Sequence, residues 1–115
     1  MIFKRSNAFT VSKNDVDMWI YNSRDDFAGA AVDYQETRVG HSEEFRHHKS
    51  AFVFYVIEGH GEWVIDGTSY RVEATDVVVV PPGVKFFSRG DLKQVCITAP
   101  AWEEACEESV RFVDL

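Results

Sequence analysis

Residues 51–83 read AFVFYVIEGHGEWVIDGTSYRVEATDVVVVPPG, and the alternation of strand-forming runs with turn signals in this stretch decides the fold class. Ala51 to Ile57 is a run of β-branched and aromatic side chains, shapes that pack well on a pleated surface. Glu62 to Asp66 follows Gly59 and Gly61, which read as a tight turn. Asp66-Gly67 is a favoured two-residue hairpin connection because both residues accept positive φ, and Ser69 to Val72 is the returning strand. Asp76 to Val80 is a further strand, stopped by Pro81 and Pro82, which have no N–H to give to a ladder.

Outward from this stretch, Phe86 and Phe87 open another strand and Leu92 to Thr98 closes the series, while Ala28 to Val39 alternates as a long strand before Gly40. Seven or more short strands without a helical period between them predict an all-β antiparallel sandwich or closed barrel, since a parallel sheet would need crossover helices. Trp102 to Glu108, after Pro100, is the one helix candidate.

The 115 residues suit a single domain spanning 1–115, and 45% hydrophobic with 14% aromatic residues suit a packed core rather than a disordered chain. A net charge of -7, from 19 acidic and 12 basic residues, repels nucleic acid and anionic lipid, so neither is expected as a partner. Glu103, Glu104, Glu107 and Glu108 read as a solvated charge run. Cys96 and Cys106 are too few and too far apart for a zinc pattern or a disulfide framework, so free thiols are expected. With no signal peptide or membrane span in the sequence, a soluble protein of the reducing cytoplasm is expected.

Two motifs then carry a family resemblance. Tyr55-Val-Ile-Glu-Gly59 followed by Gly61 to Gly67 resembles the strand-turn-strand core of the cupin superfamily, and Asp76 to Gly83 resembles its second motif, with Thr75 where glycine is usual. The resemblance runs from about Gly40 to Gly90 and implies an antiparallel jelly-roll barrel, the double-stranded β-helix of the cupins.

By the same resemblance, a metal-binding cupin would place three histidines and one glutamate inside the barrel, two of the histidines as His-x-His. Such nitrogen and oxygen donors suit a divalent transition metal. In this chain, counting on from Gly40 puts Arg46 and His48 at the paired positions, whereas counting back from Tyr55 with a longer loop puts Phe45 and His47 there. Phe52 stands in place of the glutamate and Phe86 in place of the third histidine. No native metal and no cofactor are therefore expected. The alternative is a rearranged metal set drawn from His41, Glu43, Glu44, His47 and His48, all in one predicted loop. His60 is expected to be exposed.

If Phe52, Phe86 and Trp63 face the lumen, they form an apolar pocket with Arg46 and His47 or His48 as polar contacts. Such a pocket suits a small organic anion, above all a carboxylate. The alternative is a filled barrel with Arg46 in solvent, serving a structural or interaction role. Catalysis is a third possibility. The sequence has no Gly-x-Ser-x-Gly and no phosphate loop, and a metal-dependent oxygenase or isomerase would need the rearranged ligand set. Metal-free sugar isomerases and epimerases of this superfamily use lumenal histidines as acid and base, a role open to His47 or His48. Finally, both faces of Ala51 to Ile57 are apolar, so an N-terminal strand or a second copy must cover the outer one, and a homodimer is expected.

Overall fold

Ala51 to Ile65 forms one strand of 15 residues, β5, where the sequence suggests two strands about a turn. It pairs along its whole length with β8 (Phe86–Ala99), from Ala51 opposite Ala99 to Ile65 opposite Phe86, with one register shift between Val56 and Glu58. Gly59, at φ +96°, lies just past this bulge, and a Cβ there would run into the carbonyl oxygen of Asp91. A Cβ on Gly61 would meet that of Arg89. These glycines let two backbones close on one another; they do not reverse the chain.

The computed structural model describes residues 1–115. The remaining strands are β1 (Phe9–Lys13), β2 (Val16–Ile20), β3 (Ala31–Thr37), β4 (Glu43–His47), β6 (Thr68–Glu73), β7 (Val77–Val80) and β9 (Glu107–Phe112). All pairings are antiparallel. The sheet runs β1-β2-β3-β8-β4-β9, and β5 joins it through β8 while carrying β6 and β7. The result is an all-β, curled antiparallel sheet.

Three local expectations are corrected. The sequence reading overlooks the N-terminal hairpin β1–β2, whose tip Asn14-Asp15 has both residues at positive φ, as a two-residue connection requires. The predicted loop after Gly40 contains β4, held between β8 and β9. The predicted helix at 102–108 is only a 3-10 turn, Glu104–Cys106, leading into β9. A helix this short cannot repay its nucleation, whereas β9 gains a ladder along β4.

Strand parity defines the inner surface. On β8 the residues Phe86, Ser88, Leu92, Gln94, Cys96 and Thr98 are buried, while Asp91 and Ile97 on the alternate face are exposed. Phe52, Phe54, Val56 and Trp63 of β5 join Phe86 and Leu92 in the main core. The outer face is different: Val53 is half-buried, and Tyr55, Ile57, Val77, Val79 and Ile97 are exposed. The N-terminal hairpin does not cover that face, because it extends the sheet sideways from β3.

Candidate functional site

Alternation along β4 decides which sequence candidates reach the lumen. Phe45 lies inside, its ring centroid 4.5 Å from Phe86 and 5.8 Å from Phe52, and His47 follows it inward, 5.9 Å from Phe52. Arg46, between them, is on the opposite face in register with Glu108, its Nε enclosed without an acceptor. A lumenal anion site built on Arg46 is therefore corrected: the chain adopts the longer loop spacing, and strand parity turns the guanidinium away. His48 is exposed just beyond the strand, with Nε2 2.6 Å from Oε2 of Glu108. Because both partners of this pair are solvated, His48→Ala should change unfolding free energy by no more than about 0.5 kcal/mol in urea melts.

His47 is buried, but its ring is engaged by backbone. Nδ1 accepts from the Ser50 amide at 2.9 Å, and Nε2 lies 3.0 Å from the Glu103 carbonyl, to which it donates in the matching tautomer. The imidazole ties the β4–β5 turn to the segment before β9. Phe52 and Phe86 pack with tilted rings at 5.1 Å, with Trp63 at 5.7 Å from Phe86 and 4.3 Å from Phe54. Aromatic rings thus fill the deep half of the barrel.

The metal-ligand positions implied by the resemblance hold Phe45, His47, Phe52 and Phe86: three phenyl rings and an imidazole already bonded to backbone. They do not fit a metal. The rearranged loop set does not converge either, because β4 directs Glu44 outward to Arg111 at 2.9 Å and His48 outward to Glu108. No three His, Cys, Asp or Glu side chains come together as a ligand set.

A different group of side chains gathers at one end of the inner surface. His41 packs edge-on against Phe45 at 5.2 Å, and its amide donates to the Ser88 carbonyl at 2.9 Å, fixing it against β8. Burial lowers the His41 pKa; Glu43 opposes this, while Lys13 adds to it. Glu107 accepts from Trp102 Nε1 at 3.1 Å. Burial raises its pKa despite that bond, the charge of Glu43 raises it further, and Lys13 works against both. Glu43 itself accepts from Ser109 Oγ at 3.1 Å. His41 and Glu107 are thus each pushed towards the neutral form, and the charges of Glu43 and Lys13 act on both. Glu107 is no part of a solvated run: on β9 it stands opposite His47, facing in, while Glu104 and Glu108 are exposed.

Between β3 and β8, on the same inner surface, lies a second polar group. Asp33 is in register with Cys96, and Gln35 with Gln94. Burial pushes Asp33 up to about 6, with the neighbouring Gln35 and Cys96 side chains acting in the opposite direction. Trp63 Nε1 donates to Gln94 Oε1 at 3.1 Å. Sequence reasoning passed over Lys13, Asp33, Gln35, Gln94 and Trp102. The signal that finds the strand residues among them is parity, which needs the register; Trp102 lies outside the strands.

A profile of the cupin domain matches residues 34–90. No curated protein matches the sequence. Among solved structures, the nucleoside dehydratase Pac13 superposes with a TM-score of 0.93 at 27% identity, covering 99% of this chain and 93% of Pac13. A His→Gln variant of Streptomyces Pac13 with uridine gives the same score at 26% identity, over 98% of this chain and 92% of that one. Ectoine synthase from P. lautus shares the fold at 15% identity, with a TM-score of 0.76 over 100% of this chain and 93% of the synthase. On this barrel and these matches, the chain belongs to the cupin superfamily.

Proposed function

We propose that this cupin is an acid–base enzyme that removes water from a small polyhydroxylated carbonyl compound of the sugar or nucleoside class. The observation that carries the proposal is that burial displaces the pKa values of His41 and Glu107 in opposite directions, with Glu43 and Lys13 acting on both. In the proposed reaction the neutral His41 ring takes a proton from the carbon next to the substrate carbonyl. Lys13 steadies the enolate oxygen that results. Glu107, in its protonated form, gives its proton to the hydroxyl on the next carbon. A C=C bond forms, the C–O bond breaks and water leaves; the proton on His41 returns to Glu107 through solvent. The half-buried Phe45 ring offers a planar substrate a stacking surface. Likeness to a nucleoside dehydratase supports the nucleoside class.

Two measurements test this. Uridine should shift the His41 imidazole resonances in NMR titrations. Among hydroxy-aldehydes of the sugar and nucleoside classes, at least one should yield the ultraviolet absorbance of a conjugated carbonyl. If uridine leaves His41 unmoved and no hydroxy-aldehyde is dehydrated, the proposal fails.

A homodimer belongs to the same proposal. Val53 stands in register with Val79 and Ile97, and Tyr55 with Val77 and Val95, which makes a continuous apolar outer surface. Val77 and Val79 are 59% and 56% exposed, more than an unpartnered sheet face usually allows. Sedimentation at micromolar concentration should give a dimer, and Val79→Glu a monomer; a monomeric wild type would refute it. A reducing compartment, the cytoplasm, is proposed with it, in keeping with free thiols at Cys96 and Cys106. No helix is long and apolar enough to cross a membrane.

A further inference from the structure

Asp33 and Gln94 lie on adjacent strands of the inner surface, one register step apart, since Asp33 faces Cys96 and Gln35 faces Gln94. Diagonal neighbours of this kind are within reach of one another and of a common third group. The orientation of the Gln94 amide is fixed. An indole N–H can only donate, so the atom 3.1 Å from Trp63 Nε1 must be the amide oxygen, and the NH₂ points the other way. That Nε2 has no acceptor, and Oδ1 of Asp33 has no donor. Gln94 is wholly buried. Orphaned buried polar atoms are rare and costly, and an unsatisfied donor beside an unsatisfied acceptor is rarer still. The two do not satisfy each other. Solvent reaches this side of the lumen, because Met18, Gln35 and Phe45 are only half-buried, and Gln35 holds Met18 Sδ through a weak contact of 3.9 Å.

We infer that Asp33 and Gln94 form a reading site for a planar N–H beside a C=O, the edge of a cyclic imide or lactam, on a ligand in the lumen. The ligand N–H donates to Asp33 Oδ1, and its carbonyl accepts from Gln94 Nε2. This deepens the proposed function, on which it rests for the lumen as the place of binding, and it makes Asp33 and Gln94 specificity residues for the part of the ligand that does not react.

Calorimetry with uracil, uridine and N3-methyluridine tests it. N3-methylation removes the N–H and should weaken binding at least tenfold. Gln94→Glu keeps the acceptor for Trp63 but replaces the free donor with an acceptor, and should weaken uridine tenfold or more. Asp33→Asn should narrow the discrimination against the methylated ligand. Both variants are isosteric, and their melting curves report whether the fold is kept. Equal binding of uridine and N3-methyluridine, or unaltered affinity in both variants, would show that the orphaned atoms hold only water and would overturn the inference. So would failure of uracil and uridine alike to bind. His41→Gln separates the two proposals: imide discrimination that survives in this variant while turnover also survives overturns the acid–base mechanism alone.

Discussion

Replacing His41 with glutamine should lower kcat for water loss by about 100- to 10,000-fold, the usual contribution of a positioned general base, with substrate binding largely retained. The pH dependence is the more telling measurement. Activity requires His41 without its proton and Glu107 with one. Burial lowers the first pKa and raises the second, so the acidic limb should fall below the ordinary histidine range and the basic limb above the ordinary carboxylate range. Lys13 depresses both groups. Lys13→Met should therefore move both limbs to higher pH as well as slow the reaction. If the limbs stay in place, Lys13 is not in the field of the reacting groups; if His41→Gln keeps its kcat, the ring is a packing element against Phe45.

Asp33→Asn should stabilise the protein at pH 7 by about 2–3 kcal/mol, which for a chain of this size is on the order of 10 °C in Tm. The folded carboxyl titrates at about 6 against an ordinary 3.8, because burial penalises its charge. A carboxyl with a raised folded pKa favours folding below the unfolded value and loses that contribution as pH climbs through the folded one. The wild type should accordingly weaken between about pH 4 and pH 6, while the variant does not. Urea melts at pH 4, 5 and 7 check this, and parallel behaviour of the two proteins would show that Asp33 does not ionise in a buried setting. A gain in stability joined to a loss of imide recognition is the usual trade at a binding site.

Much of the architecture is legible in the sequence, and for identifiable reasons. Val77 to Val80 and Thr68 to Glu73 announce themselves by β-branched residues and by the Asp66-Gly67 turn, whose residues both sit at positive φ. Gly59 and Gly61 mislead because glycine serves equally for a turn and for close backbone approach. The inner set of β4 is not legible, since it depends on a loop length and on a bulge between Glu44 and Phe45 that nothing local specifies. That one-residue ambiguity separates Arg46 and His48 from Phe45 and His47. Glu107 hides among glutamates that look solvated until β9 is known to pair with β4. Asp33 hides in a strand whose residues are mixed on both faces.

The place of β8 in the sheet has a consequence for how the chain acquires its structure. β3, β4 and β5 all take β8 as a neighbour, so Ala31 must find Thr98 and Phe45 must find Phe86 across long stretches of chain. The β1–β2, β2–β3, β5–β6 and β5–β7 pairings can close before β8 is made. Pairings so distant in sequence are characteristic of domains that fold in milliseconds to seconds. During synthesis β3 and the apolar faces of β5 emerge well before the strand that joins them. Until β8 leaves the ribosome the nascent chain displays a nearly complete set of sticky strands with no hub, and in that interval chaperones, rather than the barrel's own contacts, would decide its yield.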